Sequence, residues 1–383
     1  MSETKREGET RSAIGPPTSD RELTGVGRSQ LAAGGVTFLL LSVGIFWYQF
    51  HRIEPGNTAL RWNQLRWGYL GLILLCLPLE SLFAAVRTRV VYRTLQSGVR
   101  LWTCIKAEWV NVAMNTLTPS HIGGGPGQIY IFSREGVCAG RALTASLLSF
   151  VGTMVGLLCL GLYSLFVPTA GVMRPLFEAT VWTLIALSAV MVVAAIWPGI
   201  LRGVLSRVSR TLRRWEVTCQ PLQDWWPPQD ARSGSPVDRL GRLTGKLADL
   251  IYTYQSDVRR FLRAGKRSFL WVCLLGLGFL MARAVIAYLC IRFLGIETSS
   301  LRHIVEVQMA LIFLIFFAPT PGGAGLAEGA SMALMAQIVP VGVAPYYNLL
   351  WRTSTVYLST LAGVFVLGRA LLQDAGRLIH HQR

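Results

Sequence analysis

The chain has 383 residues, of which 52% are hydrophobic and only 15% charged, and its mean hydropathy is +0.44. A soluble domain carries roughly a quarter charged residues; here the charge is concentrated between long apolar runs, the pattern of a membrane helix bundle. The formal net charge of +17 would favour nucleic acid in a soluble protein. Because these charges flank apolar runs, they match an anionic cytoplasmic leaflet instead, and no nucleic-acid partner is expected.

Residues 1–30 are polar, with Lys5, Arg6, Arg11, Arg21 and Arg28, and read as a disordered cytoplasmic tail. The apolar run that follows has no small-residue cleavage site, so it reads as an anchor helix rather than a removed signal. A spanning helix needs about 20 apolar residues, which predicts full spans at 31–50, 67–86, 142–167, 178–199, 268–294 and 346–370. Two further apolar regions are interrupted. Region 102–133 breaks at Thr118-Pro119 and Gly123-Gly124-Gly125-Pro126-Gly127; region 303–339 breaks at Pro319-Thr320-Pro321-Gly322-Gly323.

Between the two membrane halves, 31–200 and 268–372, lies a basic connector, 201–267. Leu201, Val204, Leu205, Val208, Leu212 and Trp215 recur at helical spacing among arginines, as in a basic helix lying on anionic lipid headgroups. A Pro-rich turn region and a second amphipathic pattern, Leu240 to Phe261, follow. The plain reading is a solvated connector; the sharper one is an anionic-lipid sensor.

Positive charge sets the threading. If the N-terminal segment, residues 87–106, Arg134, Arg141, the connector and the C-terminal end from Arg369 through the tail 373–383 are cytoplasmic, that side holds 29 of the 37 Lys and Arg, against six in the outer loops. Region 102–133 must then enter and leave on the cytoplasmic side as a re-entrant hairpin. Region 303–339 enters and leaves from outside. One broken element from each face is the logic of an inverted repeat, with a site near the midplane.

The broken segments carry the chemistry. In hydrocarbon every backbone N–H and C=O needs a partner, so a Pro/Gly break survives only where protein or a polar cavity surrounds it. A helix restarting after such a break turns its positive end towards it, which suits an anion such as a lipid phosphate. The plain alternative is a hinge or tight small-residue packing. The candidate lipid-binding residues are Asn115, Pro119, Gly123, Gly124, Gly125, Gly127 and Gln128 in the first segment, and Thr320, Pro321, Gly322, Gly323, Gly325 and Glu328 in the second, with Arg352 as the basic counterpart of Glu328. Ionisable residues in apolar runs mark function by default. Besides Glu328 and Arg352 these are Glu80, Glu108, Arg283 and Glu306; Glu80 and Arg283 suit a structural pair, and Glu108 and Lys106 read as interfacial.

The seven cysteines form no CxxC pair and read as small hydrophobes. Neither HExxH nor a P-loop occurs, so neither a cofactor nor a metal is expected.

Arg87 to Arg141 resembles the membrane region of the lysylphosphatidylglycerol synthase/flippase family. The first motif reads Asn115, Pro119, the glycine run, and Gln128 where the family usually has glutamate. The second, PTPGGAGLAE at 319–328, is similar to the family's PTPGG-x-G-x-x-E, and Arg352 matches a downstream arginine in the last span. The resemblance covers about 31–372 and implies an all-α polytopic bundle, a bacterial source, a cell-membrane location, and translocation of a phospholipid or polyprenyl-phosphate-linked substrate. Lysyl-transferring members carry a soluble domain after the membrane region. This chain stops about ten residues past its last span, which implies the flippase-like part alone. Two other readings stand beside it. One is a membrane-embedded glycosyl or aminoacyl transferase with Glu328 or His121 as base. The other is an accessory subunit positioning a separate synthase, or a homo-oligomer.

Overall fold

The computed structural model describes residues 28–51, 62–95, 98–119, 123–165, 178–179, 182–183, 185–186, 253–254, 256–263, 265–297, 300–316, 318–336 and 338–381. Among the described residues the fold is all helical: α1 (Arg28–His51), α2 (Trp67–Thr94), α3 (Leu101–Leu117), α4 (Gly124–Arg134), α5 (Ala139–Leu165), α6 (Lys266–Phe293), α7 (Leu301–Phe316), α8 (Leu326–Met335), α9 (Ala344–Arg352) and α10 (Leu358–His381). A single π-helical stretch, Thr353–Tyr357, joins α9 to α10, so that 344–374 forms one span. With Ala32–His51, Trp67–Thr94, Ala139–Leu162 and Lys266–Phe293, five helices among the described residues are long and apolar enough to cross a membrane.

The expected spans differ from these in their limits. The 67–86 span runs on to Thr94, because Arg87 and Thr88 face the bundle interior, where they are buried, and do not begin a loop. The expected span 178–199 and the basic helix through Trp215 lie largely outside the described residues. At the end of the second connector pattern, Val258 and Phe261 are buried against a core that includes Phe132, Ala142 and Val272. That end is therefore part of the bundle and not a solvated link.

Contacts along the helices give their directions. The start of α2 meets the end of α6: Arg66 N–H donates to the Phe293 carbonyl at 3.0 Å, and Trp67 and Phe293 pack edge to face. The end of α2 meets the start of α6 through Thr94 and Ser268 at 3.1 Å. These two helices, each of 28 residues, run antiparallel over their whole length. The first bundle end thus holds the end of α2 and the start of α6; the second holds the start of α2 and the end of α6.

Both broken regions are hairpins. Glu135, just past α4, accepts from Thr103 at 3.2 Å and pairs with Lys106 at 3.7 Å, both in the first turns of α3. The α3–α4 hairpin therefore enters and leaves at the first bundle end. Leu334, Met335 and Val339 share a core cluster with Ile304 and Val307 from the first turns of α7, so the α7–α8 hairpin enters and leaves at the second. The segments α2–α3–α4 and α6–α7–α8 repeat with nearly equal lengths and opposite sense, as an inverted repeat requires. Each hairpin alone falls short of a bilayer.

The two tips meet. Thr116 in α3 lies against Gly322 of the second break, and α1 packs across both, with Gly34 on the Leu117 carbonyl and Phe38 on Gly322. On the other flank α10 runs antiparallel to α3. Thr360 bonds Thr116 at 3.1 Å, Gly363 lies on the Trp109 carbonyl, and Asp374 accepts from Tyr130 at 2.6 Å and Arg134 at 3.1 Å. Since α1 runs antiparallel to α9–α10 (Phe50 on Tyr346, Phe38 on Tyr357), its start and the end of α10 point to the same side.

Candidate functional site

The second break explains its own sequence. Gly322, Gly323 and Gly325 have φ of +59°, +66° and +91°, a region that costs other L-residues roughly 1–2 kcal/mol. This path lets the chain reverse from α7 into α8, and it frees carbonyls that need donors in an apolar surrounding. Arg352 supplies them: its Nη2 donates to the Gly322 and Gly323 carbonyls at 3.3 and 3.4 Å, while its Nε donates to Glu328 Oε1 at 2.8 Å. The other Glu328 oxygen accepts the Gly325 N–H at 2.7 Å. The positive end of α8 is therefore capped by a carboxylate from its own first turn, and Gly325 N–H is already taken. Asn348 completes the set by donating to the Glu328 carbonyl at 3.4 Å.

At the first break, the side chains of α3 cap α4. Thr118 Oγ1 accepts the Gly123 N–H and Asn115 Oδ1 the Gly124 N–H, each at 2.9 Å. Asn115 comes so close to Gly124 that a Cβ there would collide with its side-chain oxygen. Gly127 likewise leaves room for Met114, 2.7 Å from where a Cβ would stand. Pro119 is exposed, and His121 lies in 120–122, outside the described residues.

Between the hairpins lies a cavity of about 330 Å³, within the usual range for small-molecule sites. One face of α3 supplies Glu108, Asn111 and Asn115, at i, i+3 and i+7, and α4 supplies Gly125 and Gln128. Arg87 comes from α2 and Arg283 from α6; Gln308 is contributed by α7, and Gly322, Arg352 and Thr355 by the second half's break and last span. Phe150, Phe279, Leu280 and Ile312 form apolar walls. Glu108 and Asn115 stand about 10 and 21 Å of helix rise from the start of α3, so the polar lining reaches well into the membrane-spanning part.

Of the fourteen sequence candidates, Asn115, Gly125, Gln128, Gly322 and Arg352 line this cavity; Gly123, Gly124, Gly127, Gly323, Gly325 and Glu328 shape or hold the breaks beside it. Pro321 opens the short 3₁₀ turn of the second break, and the Thr320 hydroxyl is buried without a partner there. Glu108, read from sequence as interfacial, is instead 7% exposed and accepts from Gln128 Nε2 at 3.1 Å. Glu80 and Arg283 pair at 2.8 Å.

Arg87, Asn111 and Gln308 were not singled out from sequence. Arg87 was counted among loop charges. Glu108, Asn111 and Asn115 form a polar stripe at helical spacing on an apolar helix, a signal present in the sequence. Arg87 is 6% exposed, donates to Thr153, and shares the Phe279 ring with Arg283, the two guanidinium carbons lying 5.6 and 5.5 Å from its centroid. Its Nε has no partner.

Among proteins of known function, no curated relative matches this chain. A family model described as Lysylphosphatidylglycerol synthase TM region matches residues 35–363, from α1 to α10 and across both hairpins and the cavity between them. With five apolar spans and two opposed hairpins among its described residues, this multi-pass membrane protein belongs to the lysylphosphatidylglycerol synthase TM region family.

Proposed function

We propose that the protein binds a phospholipid, or another lipid carrying a phosphate headgroup, in the cavity between the two hairpins and carries that headgroup across the cell membrane. The observation that supports this reading best is the cavity itself. Both breaks border it, it lies within the membrane-spanning part, and three arginines line it. A charged group is costly in hydrocarbon, so such residues facing an interior cavity mark a path for a polar substrate. Guanidinium groups suit phosphate oxygens, and the apolar walls suit the first part of the acyl chains. Hairpins from opposite faces give two gates around one site. Both termini are assigned to the cytoplasm, because the first bundle end carries Lys106, Arg134, Arg141, Lys266 and Arg267.

The test is headgroup translocation in proteoliposomes, read as loss of protection of a fluorescent phospholipid from an impermeant quencher. Wild type should move the lipid faster than protein-free vesicles, and Arg87→Gln should slow it roughly tenfold or more, the effect of losing a charged hydrogen bond. Equal rates in wild-type and protein-free vesicles would overturn the proposal.

A further inference from the structure

Resting on the lipid-binding reading, we infer that the preferred headgroup is a net-neutral zwitterion, one phosphate with one ammonium, and not an anion. The lining holds three arginines, but two of them are already neutralised. Arg283 pairs with Glu80 at 2.8 Å and Arg352 with Glu328 at 2.8 Å. That leaves one cation and one anion without an ionic partner among the described residues. Arg87 makes no ion pair, and its buried Nε has no acceptor. Glu108 accepts only the neutral Gln128 amide. Both line the same cavity, and both are more than nine-tenths buried.

Arg87 and Glu108 act on each other across the cavity but form no ion pair, so each stays only partly compensated in a low-dielectric surrounding. An isolated anion in the cavity would satisfy Arg87 and leave Glu108 as an added repulsion. A headgroup offering phosphate oxygens to Arg87 and an ammonium to Glu108 satisfies both, with no net charge moved into the membrane. Gln128 sets this balance. A glutamate at that position would put a second carboxylate beside Glu108 and favour a headgroup with an additional positive charge; the amide donates to Glu108 instead and leaves a single carboxylate.

The experiment is native mass spectrometry of the full chain released from mixed vesicles of phosphatidylethanolamine, phosphatidylglycerol and lysyl-phosphatidylglycerol with matched acyl chains. Wild type should retain the ethanolamine lipid roughly tenfold or more over the other two. Glu108→Gln should shift retention to phosphatidylglycerol, and Gln128→Glu towards the lysyl lipid. Independently of any variant, soluble phosphoethanolamine should displace bound lipid from wild type at lower concentration than glycerol phosphate. Preference of wild type for phosphatidylglycerol, or equal displacement by the two soluble compounds, would overturn the zwitterion assignment and leave lipid binding standing. Retention of no lipid above its bulk share would remove the lipid-binding reading itself, and this inference with it.

Discussion

Arg352 and Glu328 form a buried ion pair at 2.8 Å across 24 residues of sequence, their side chains 2% and 1% exposed. Each also holds the second break: Arg352 donates to the Gly322 and Gly323 carbonyls, and Glu328 accepts from the Gly325 N–H. The pair is thus the fastening that allows a non-helical turn to exist inside the bundle.

Removing one partner leaves the other charged, buried and unpaired, at a cost of about 3–5 kcal/mol. Glu328→Ala and Arg352→Ala should therefore lower the thermal midpoint of the purified protein sharply. Arg352→Lys should not rescue, because a single ammonium does not reproduce the fork that reaches a carboxylate and two carbonyls. A midpoint for Glu328→Ala equal to wild type would show that the break needs no such fastening.

Glycine substitutions should divide by backbone conformation. Gly323→Ala and Gly325→Ala force a Cβ into positive φ and should each destabilise by roughly 1–2 kcal/mol. Gly329, four residues on in α8, has open space where its Cβ would stand. Gly329→Ala should be neutral or stabilising by up to ~1 kcal/mol. The same thermal measurement on the three variants separates these outcomes.

The hairpin topology predicts sidedness. Single cysteines at Gly136 and Lys266 should react with an impermeant maleimide from one side of sealed vesicles, and cysteines at Glu297 and Val341 from the other. A hairpin that instead crossed fully would put Gly98 and Gly136 on opposite sides. Labelling those two positions from a single face supports the re-entrant path.

Asp374 ties the exit of the first hairpin to the end of α10 by accepting from Tyr130 and Arg134. The site is about one-fifth exposed, so the effect of Asp374→Asn on global stability should be small, about 1 kcal/mol or less. Its local effect should be larger: α4 amides should exchange faster with solvent, while α8 amides keep their wild-type rates. Equal acceleration in both helices would mean the tie is not local.

The second break was legible in sequence because Gly322, Gly323 and Gly325 occur where only glycine tolerates the backbone, and because a Pro/Gly cluster in an apolar run has few physical outcomes. Glu328 and Arg352 were legible as buried charges for the same reason. Their roles were not. An expected anion site at the start of α8 is occupied by Glu328's own carboxylate, a fact that depends on a side-chain path and not on spacing. Arg87 was misplaced because the expected span stopped where a run of charges begins, at Arg87, Arg89 and Arg93, and Glu108 because it stands two residues from Lys106 near the start of its region, although a helix continues wherever its polar side finds an interior cavity.

The sequence by itself determined the membrane class and the positions of the two breaks, and set the expectation that they enter from opposite faces, since hydrocarbon forbids unpaired backbone groups and positive charge biases the cytoplasmic side. Only the tertiary structure decided that the two tips touch at Thr116 and Gly322, which arginines carry their own carboxylates, and that Arg87 and Glu108 remain as the unmatched charges of one cavity. The Glu80–Arg283 pair joins helices 203 residues apart and the Arg352–Glu328 pair residues 24 apart, and in both the distance between two side chains is fixed by the fold and by nothing local.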